Sequence, residues 1–140
     1  MSTRQFALVF GIVFALVGIA GFVPGLLAER AAEEPALVIE AARGRLMGLF
    51  PVNAMHNLIH LIFGIWGIVA YRSFGAARLY ARSVAVIYAV LVVMGFIPLL
   101  NTTFGLAPIY GHDIWLHALL AVVAAYFGFR SEPEAAVAMR

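Results

Sequence analysis

An all-α integral membrane fold is expected of this chain: a four-transmembrane-helix bundle built from two parallel helical-hairpin repeats. Three observations carry the expectation. The 140 residues are 64% hydrophobic and only 11% charged, where a soluble domain is nearer half and a quarter. Four uncharged runs are long enough, or nearly so, to cross a hydrocarbon core about 30 Å thick. The second half of the chain also repeats the first in register.

The first run is Phe6–Val23. Arg4 before an apolar stretch is superficially like a signal peptide, but the run is long for that and no clear small-residue cleavage site follows. It is read as retained, because it is the counterpart of the third run. The second run is Asn57–Tyr71, extendable back to Pro51, and the third is Ser83–Leu100. The fourth is Ile114–Phe129, extendable back to Pro108. Between the first two lies a charged outer loop in which Pro35 and Gly44 would open and close a short surface helix, within residues 28–47. The tail Ser131–Arg140 is expected to fray.

Arginine placement orients the bundle. Arg4, Arg72, Arg78, Arg82, Arg130 and Arg140 fall on one side, against Arg30, Arg43 and Arg45 on the other. By the positive-inside rule both termini are then cytoplasmic. The nine basic residues are scattered and the net charge is only +2, so a nucleic-acid partner is not expected. Cysteine is absent, which removes disulfides, thiolate metal sites and Cys nucleophiles.

The whole chain reads as one membrane domain of two repeats, about 6–71 and 83–129. Gly48, Leu49, Pro51 and Val52 align with Gly105, Leu106, Pro108 and Ile109 at an offset of 57, and His56 and His60 then meet Asp113 and His117. At an offset of 74, Gly21-Phe22-Val23-Pro24 meets Gly95-Phe96-Ile97-Pro98. The difference is the extra length of the first outer loop. Corresponding positions are separated by an even number of helices, so the repeats are parallel and related by an axis along the membrane normal. Matching prolines, glycines and histidine in one register argue against the chance alignment of a small apolar alphabet.

Residues three and four apart share a helical face. Asn53, His56 and His60 therefore make one stripe, continued by Gly64 and Gly67. Tyr110, Asp113 and His117 make another, continued by Ala121 and Ala124. The small inner ends predict close contact between the second and fourth helices. With Pro51 and Pro108 in the first helical turn, His60 and His117 would lie roughly 13 Å down the helix, at ~1.5 Å per residue. Ionisable groups at such depth normally face the bundle interior, paired or lining a cavity.

His56, His60, Asp113 and His117 supply two i, i+4 pairs able to ligate a transition metal. Three imidazoles and a carboxylate suit zinc, copper, iron or manganese better than calcium or magnesium. Asn53, Asn57 and Tyr110 would steady the ligands through hydrogen bonds. A second reading makes the same residues a polar clamp between hairpins, in a structural or accessory subunit of a membrane complex or in a homo-oligomer. A third has His60 and His117 ligating haem or chlorin, with the small residues below making room for the ring plane. Proton transfer is a weaker reading, since no second ionisable cluster leads to the inner face. No nucleophile–base–oxyanion constellation is visible, so no enzymatic activity is expected.

The combination of Asn53, His56-Asn57, His60-Leu61 and Gly64 with Asp113 and Leu116-His117 resembles an uncharacterised family of small four-helix bacterial membrane proteins, domain of unknown function 4383. The resemblance runs from Phe6 to Phe129. It implies four spans in the bacterial inner membrane and supplies no activity.

Overall fold

A computed structural model describes residues 1–130. The tail Ser131–Arg140, and with it the orienting Arg140, lies outside the described residues. The elements, in chain order, are α1 (Thr3–Ala20), a 3-10 turn (Pro24–Leu26), β1 (Leu27–Ala28), β2 (Gly44–Leu46), β3 (Phe50–Val52), α2 (Ala54–Ala70), α3 (Phe74–Gly95) and α4 (His112–Phe129). Among the described residues, α1, α3 and α4 are long and apolar enough to cross a membrane, while α2 is apolar but shorter, at 17 residues. At ~1.5 Å per residue α2 spans about 25 Å.

Helices α1, α2 and α3 each begin at a side-chain cap. Ser2 and Gln5 form a reciprocal capping box on α1. Asn53 and Ser73 cap α2 and α3 by accepting from the backbone N–H three residues on. Gly111 opens α4 at φ 67°, a left-handed conformation that glycine enters without a Cβ clash.

Within the first hairpin the backbones lie nearly in contact. A Cβ on Gly11 would come 2.6 Å from Ile68 N, one on Gly64 2.6 Å from Ala15 N, and one on Gly67 2.7 Å from Ala7 O. The small stripe of α2 is therefore spent on α1. That corrects the expected contact between the second and fourth helices. Instead α1 packs along α2 and α3 along α4, and α2 and α4 meet through side chains at their outer ends. Small residues on α1 are the reason: Gly11, Ala15 and Gly18 supply a complementary groove on the sequence neighbour.

The core between the hairpins is aromatic. Phe14 stacks on Tyr88 with ring centroids 5.7 Å apart, Phe6 on Phe127 at 4.8 Å, and Trp66 meets Tyr80 edge-on at 5.3 Å. Tyr80, whose position near a run end suggests an interfacial anchor, is fully buried. Arg4, Arg78 and Arg82 lie at the opposite end from the histidines. Arg4 Nε donates to Tyr71 O, and Arg78 and Arg82 both donate to Gly128 O.

The outer loop departs from expectation. No surface helix forms within residues 28–47. The segment ends in an antiparallel sheet of order β1-β2-β3, with Leu27 opposite Leu46 and Leu46 opposite Phe50. Leu46 and Val52 are buried, and β2 alternates buried and half-buried positions as a sheet with one covered face requires. In residues 29–43 the large apolar side chains come as the consecutive run Leu37-Val38-Ile39, not in the three-and-four spacing of a surface helix. Turns fastened by polar contacts replace it: Arg43 pairs with Glu40 and donates to Pro35 O, and Arg45 pairs with Glu34.

The sheet also moves the helix start. Pro51 belongs to β3 and Pro108 to the second outer loop, so neither opens a helix. His60 and His117 then lie only six and five residues inside α2 and α4, about 8–9 Å from their ends rather than 13 Å.

Candidate functional site

The outer ends of α2 and α4 bring His56, Asp113 and His117 together. All three are buried, and one ligand atom from each lies within 4.8 Å of the others. His56 Nε2 is 3.9 Å from Asp113 Oδ2, and His117 Nε2 is 3.6 Å from the same oxygen. Neither distance is a hydrogen bond, for which N–H···O contacts run about 2.7–3.2 Å. Among the described residues Asp113 Oδ2 has no hydrogen-bond partner. A buried carboxylate oxygen faced by two imidazole nitrogens just beyond bonding range is costly unless something sits between them.

His60 stands beside this group. Its Nδ1 lies 3.0 Å from the His56 carbonyl oxygen. A carbonyl only accepts, so Nδ1 carries the proton and Nε2 is left as the acceptor. The ring stacks on His56 at 4.7 Å and meets Phe14 edge-on. Tyr88 in turn packs edge-on against His117 at 4.7 Å. Aromatic walls thus fix the imidazole planes from the inner side. His112, the first residue of α4, is exposed and apart from the cluster.

The side chains expected to steady the ligands hold the scaffold instead. Asn53 Oδ1 accepts from the His56 backbone N–H, while its Nδ2 donates to Ile39 O and Leu106 O. One fully buried amide thus joins α2 to both outer loops. Asn57 Nδ2 donates to Gly21 O at 2.6 Å, tying α2 to the end of α1. Tyr110 donates to Glu34 Oε2 in the outer loop. These asparagines face backbone carbonyls because chain turns next to them leave those carbonyls without helical partners.

Glu34 is the residue that reading the sequence missed. Burial alone would raise its carboxyl, but hydrogen bonds from Arg45, Tyr110 and the Ala31 backbone hold it below the usual carboxylate range. Burial, together with the bond to Glu34, pushes the Tyr110 phenol up to about 12. Among seven acidic residues, nothing in local spacing marks Glu34. Its partners come from 11 and 76 positions away.

Two pockets flank the cluster at the seams between hairpins. One, about 60 Å³, lies between α2 and α3 and is lined by Ile59, His60, Ile87 and Leu91. The other, about 120 Å³, lies between α1 and α4 and is lined by Val17, His60, Asp113 and Leu116. Neither approaches the ~300–1,000 Å³ of sites for larger ligands. The space that a porphyrin plane would need beside Gly64 and Gly67 is filled by α1.

Three long apolar helices and a fourth shorter one, closed around a buried His/Asp group at one end, define a helical bundle of membrane-protein type. The chain belongs to the family described as domain of unknown function DUF4383, whose model matches residues 4–130. No curated protein and no solved structure matches it.

Proposed function

We propose that this chain is a four-span protein of the bacterial inner membrane, with both termini cytoplasmic, that holds a transition metal ion between His56, Asp113 and His117. The observation that carries the reading is Asp113 Oδ2, buried without a hydrogen bond and faced by two Nε2 atoms at 3.9 and 3.6 Å. Tetrahedral ligands on zinc, at ~2.0–2.1 Å from the ion, stand about 3.3 Å from one another. The two spacings to Asp113 Oδ2 are about 0.3–0.6 Å longer than that, and the three ligand atoms together lie within 4.8 Å of one another. Closing the same gaps further, to hydrogen-bond length, would give the polar clamp.

Zinc, copper, iron and manganese all suit two imidazoles and a carboxylate. His60, expected as a fourth ligand, is read here as the residue that orients His56 by stacking, with its own Nδ1 committed to the His56 carbonyl. Three protein ligands leave a coordination position open, the pattern of sites that handle a further ligand rather than only brace a fold.

The two-hairpin plan supports a site shared between repeats. Positions that the internal alignment equates lie close across the bundle: Phe14 with Tyr88, Phe6 with Tyr80, and His56 with Asp113. An axis along the membrane normal brings such pairs together.

The test is elemental analysis of untagged protein in mild detergent, beside the variants Asp113→Asn and His117→Ala. About one equivalent of a transition metal, lost in both variants while the helical circular dichroism is kept, is the expected result. Metal-free wild-type protein that stays so after metal addition, with both variants melting well below it, would instead make the group a clamp. The protein would then be a structural or accessory subunit.

A further inference from the structure

His60 is left over from the metal group, and it lines both seam pockets. Its Nε2 is the acceptor nitrogen, because Nδ1 donates to the His56 carbonyl. The larger pocket, about 120 Å³, is otherwise walled mostly by apolar side chains, Val17 and Leu116 from the helices and Leu46, Phe50 and Val52 from the sheet above. An apolar cavity of about 150 Å³ is enough to bind benzene. The sheet covers the outer face, while the α1–α4 seam is looser than the packing within each hairpin. A molecule reaching His60 by that seam arrives from between the helices, through lipid.

We propose that this pocket binds an uncharged, lipid-soluble single-ring phenol, whose hydroxyl donates to His60 Nε2 and whose ring lies between Val17 and Leu116. The class follows from the lining. A single ring is the most that a volume of this order admits, and the acceptor nitrogen selects a donor hydroxyl over an ether or a bare hydrocarbon. Asp113 and His56 stand on the same wall, so the pocket has one polar side, made of His56, His60 and Asp113. The second pocket, at half the volume, has the same His60 on its wall and is too small for the ring.

The inference goes beyond the metal reading and does not depend on an ion. It is tested on chelator-treated full-length protein in lipid nanodiscs. Fluorine NMR would follow 4-fluorophenol, with 4-fluoroanisole as the analogue lacking the donor and empty nanodiscs as the partition control. Saturable binding of the phenol, at least tenfold tighter than the ether, is expected. It should be lost in Leu116→Phe, which fills the pocket, and in His60→Phe, which keeps a stacking ring but removes the acceptor. No saturable signal above empty nanodiscs, equal affinity for the ether, or undiminished binding in a folded Leu116→Phe would each overturn the proposal. The phenol–ether comparison uses wild-type protein alone, so it stands even if a variant fails to fold. Because the protein is metal-free throughout, failure of the metal reading leaves this result untouched.

Discussion

Phe14 and Tyr88 lie ring against ring, their planes only 17° apart, and they stand 74 residues apart in the chain, the offset at which the proposed repeat equates them. A stack between equivalent positions sits where an axis relating two halves would pass. Phe14→Ala and Tyr88→Ala should therefore be equally harmful. Each deletes one half of the same buried stack, at about 3–5 kcal/mol for an aromatic lost from a packed core. The double variant should cost clearly less than the sum, because the partners are in contact. Thermal unfolding in detergent measures this. Full additivity would mean the two rings contribute through unrelated contacts.

Close approach of α1 and α2 makes a second prediction. A methyl on Gly64 would lie 2.6 Å from the Ala15 backbone nitrogen, which cannot rotate away. Gly64→Ala should force the helices apart and cost about 1–3 kcal/mol. Gly25→Ala, where no atom lies within 4 Å of the added carbon, is the control and should be near neutral. Melting temperatures of the two variants check this directly.

Asn53 should be among the most sensitive polar positions outside the cluster. Asn53→Ala removes the α2 cap, at about 1 kcal/mol. It also strands the carbonyls of Ile39 and Leu106, at about 1–3 kcal/mol for each group left unsatisfied. Asn53→Asp keeps the cap acceptor but loses both donors, so it should recover only the first part. Hydrogen exchange at Leu106 and the neighbouring loop amides would separate the two contributions.

The Glu34 link gives the outer loop a pH window. With its folded-state value lowered, Glu34 contributes stability that is present above the ordinary carboxylate range and lost as pH falls through the lowered value. Tyr110, raised to about 12, works the other way. Its contribution is complete below about 10, the free tyrosine value, and fades as pH rises through about 12. Loop protection from exchange should thus be flat between roughly pH 5 and 10 and fall on both sides. In Glu34→Gln the acid limb should disappear. A wild-type acid limb unchanged in that variant would assign it to another carboxylate.

Because the chain has no cysteine, single cysteines report topology cleanly. Met47→Cys and Leu99→Cys, both highly exposed at the histidine end, should react with a membrane-impermeant thiol reagent in intact cells. Ser73→Cys, beside the arginine end, should react only after lysis. The reverse pattern would invert the assigned orientation.

Helix identity and the pairing of Asp113 with His117 were legible because both depend on short-range periodicity, apolar runs and i, i+4 spacing, whereas His56 joins them from another helix, 57 positions away. The helix starts were not legible. Proline is tolerated both in a first helical turn and in an edge strand, and only the pairing of Arg45 with Pro51 across β2 and β3 decides between them. The roles of Asn53, Asn57 and Tyr110 were likewise hidden. Their partners, Leu106, Gly21 and Glu34, sit 53, 36 and 76 positions away. The small stripe of α2 could have served any neighbour, and glycines spaced along α1 settled which.

His56 facing Asp113 has a consequence for how such a site is encoded. Two identical chains related by a two-fold axis must present every side chain twice, since residue i meets j and j meets i across a C2 interface. They would offer two carboxylates, whose charges repel, or none at all. With both hairpins written into one polypeptide, a histidine can stand opposite an aspartate and a single negative charge can be placed beside the axis. On the proposed two-repeat reading, covalent linkage grants chemical asymmetry to a frame of near-equivalent halves.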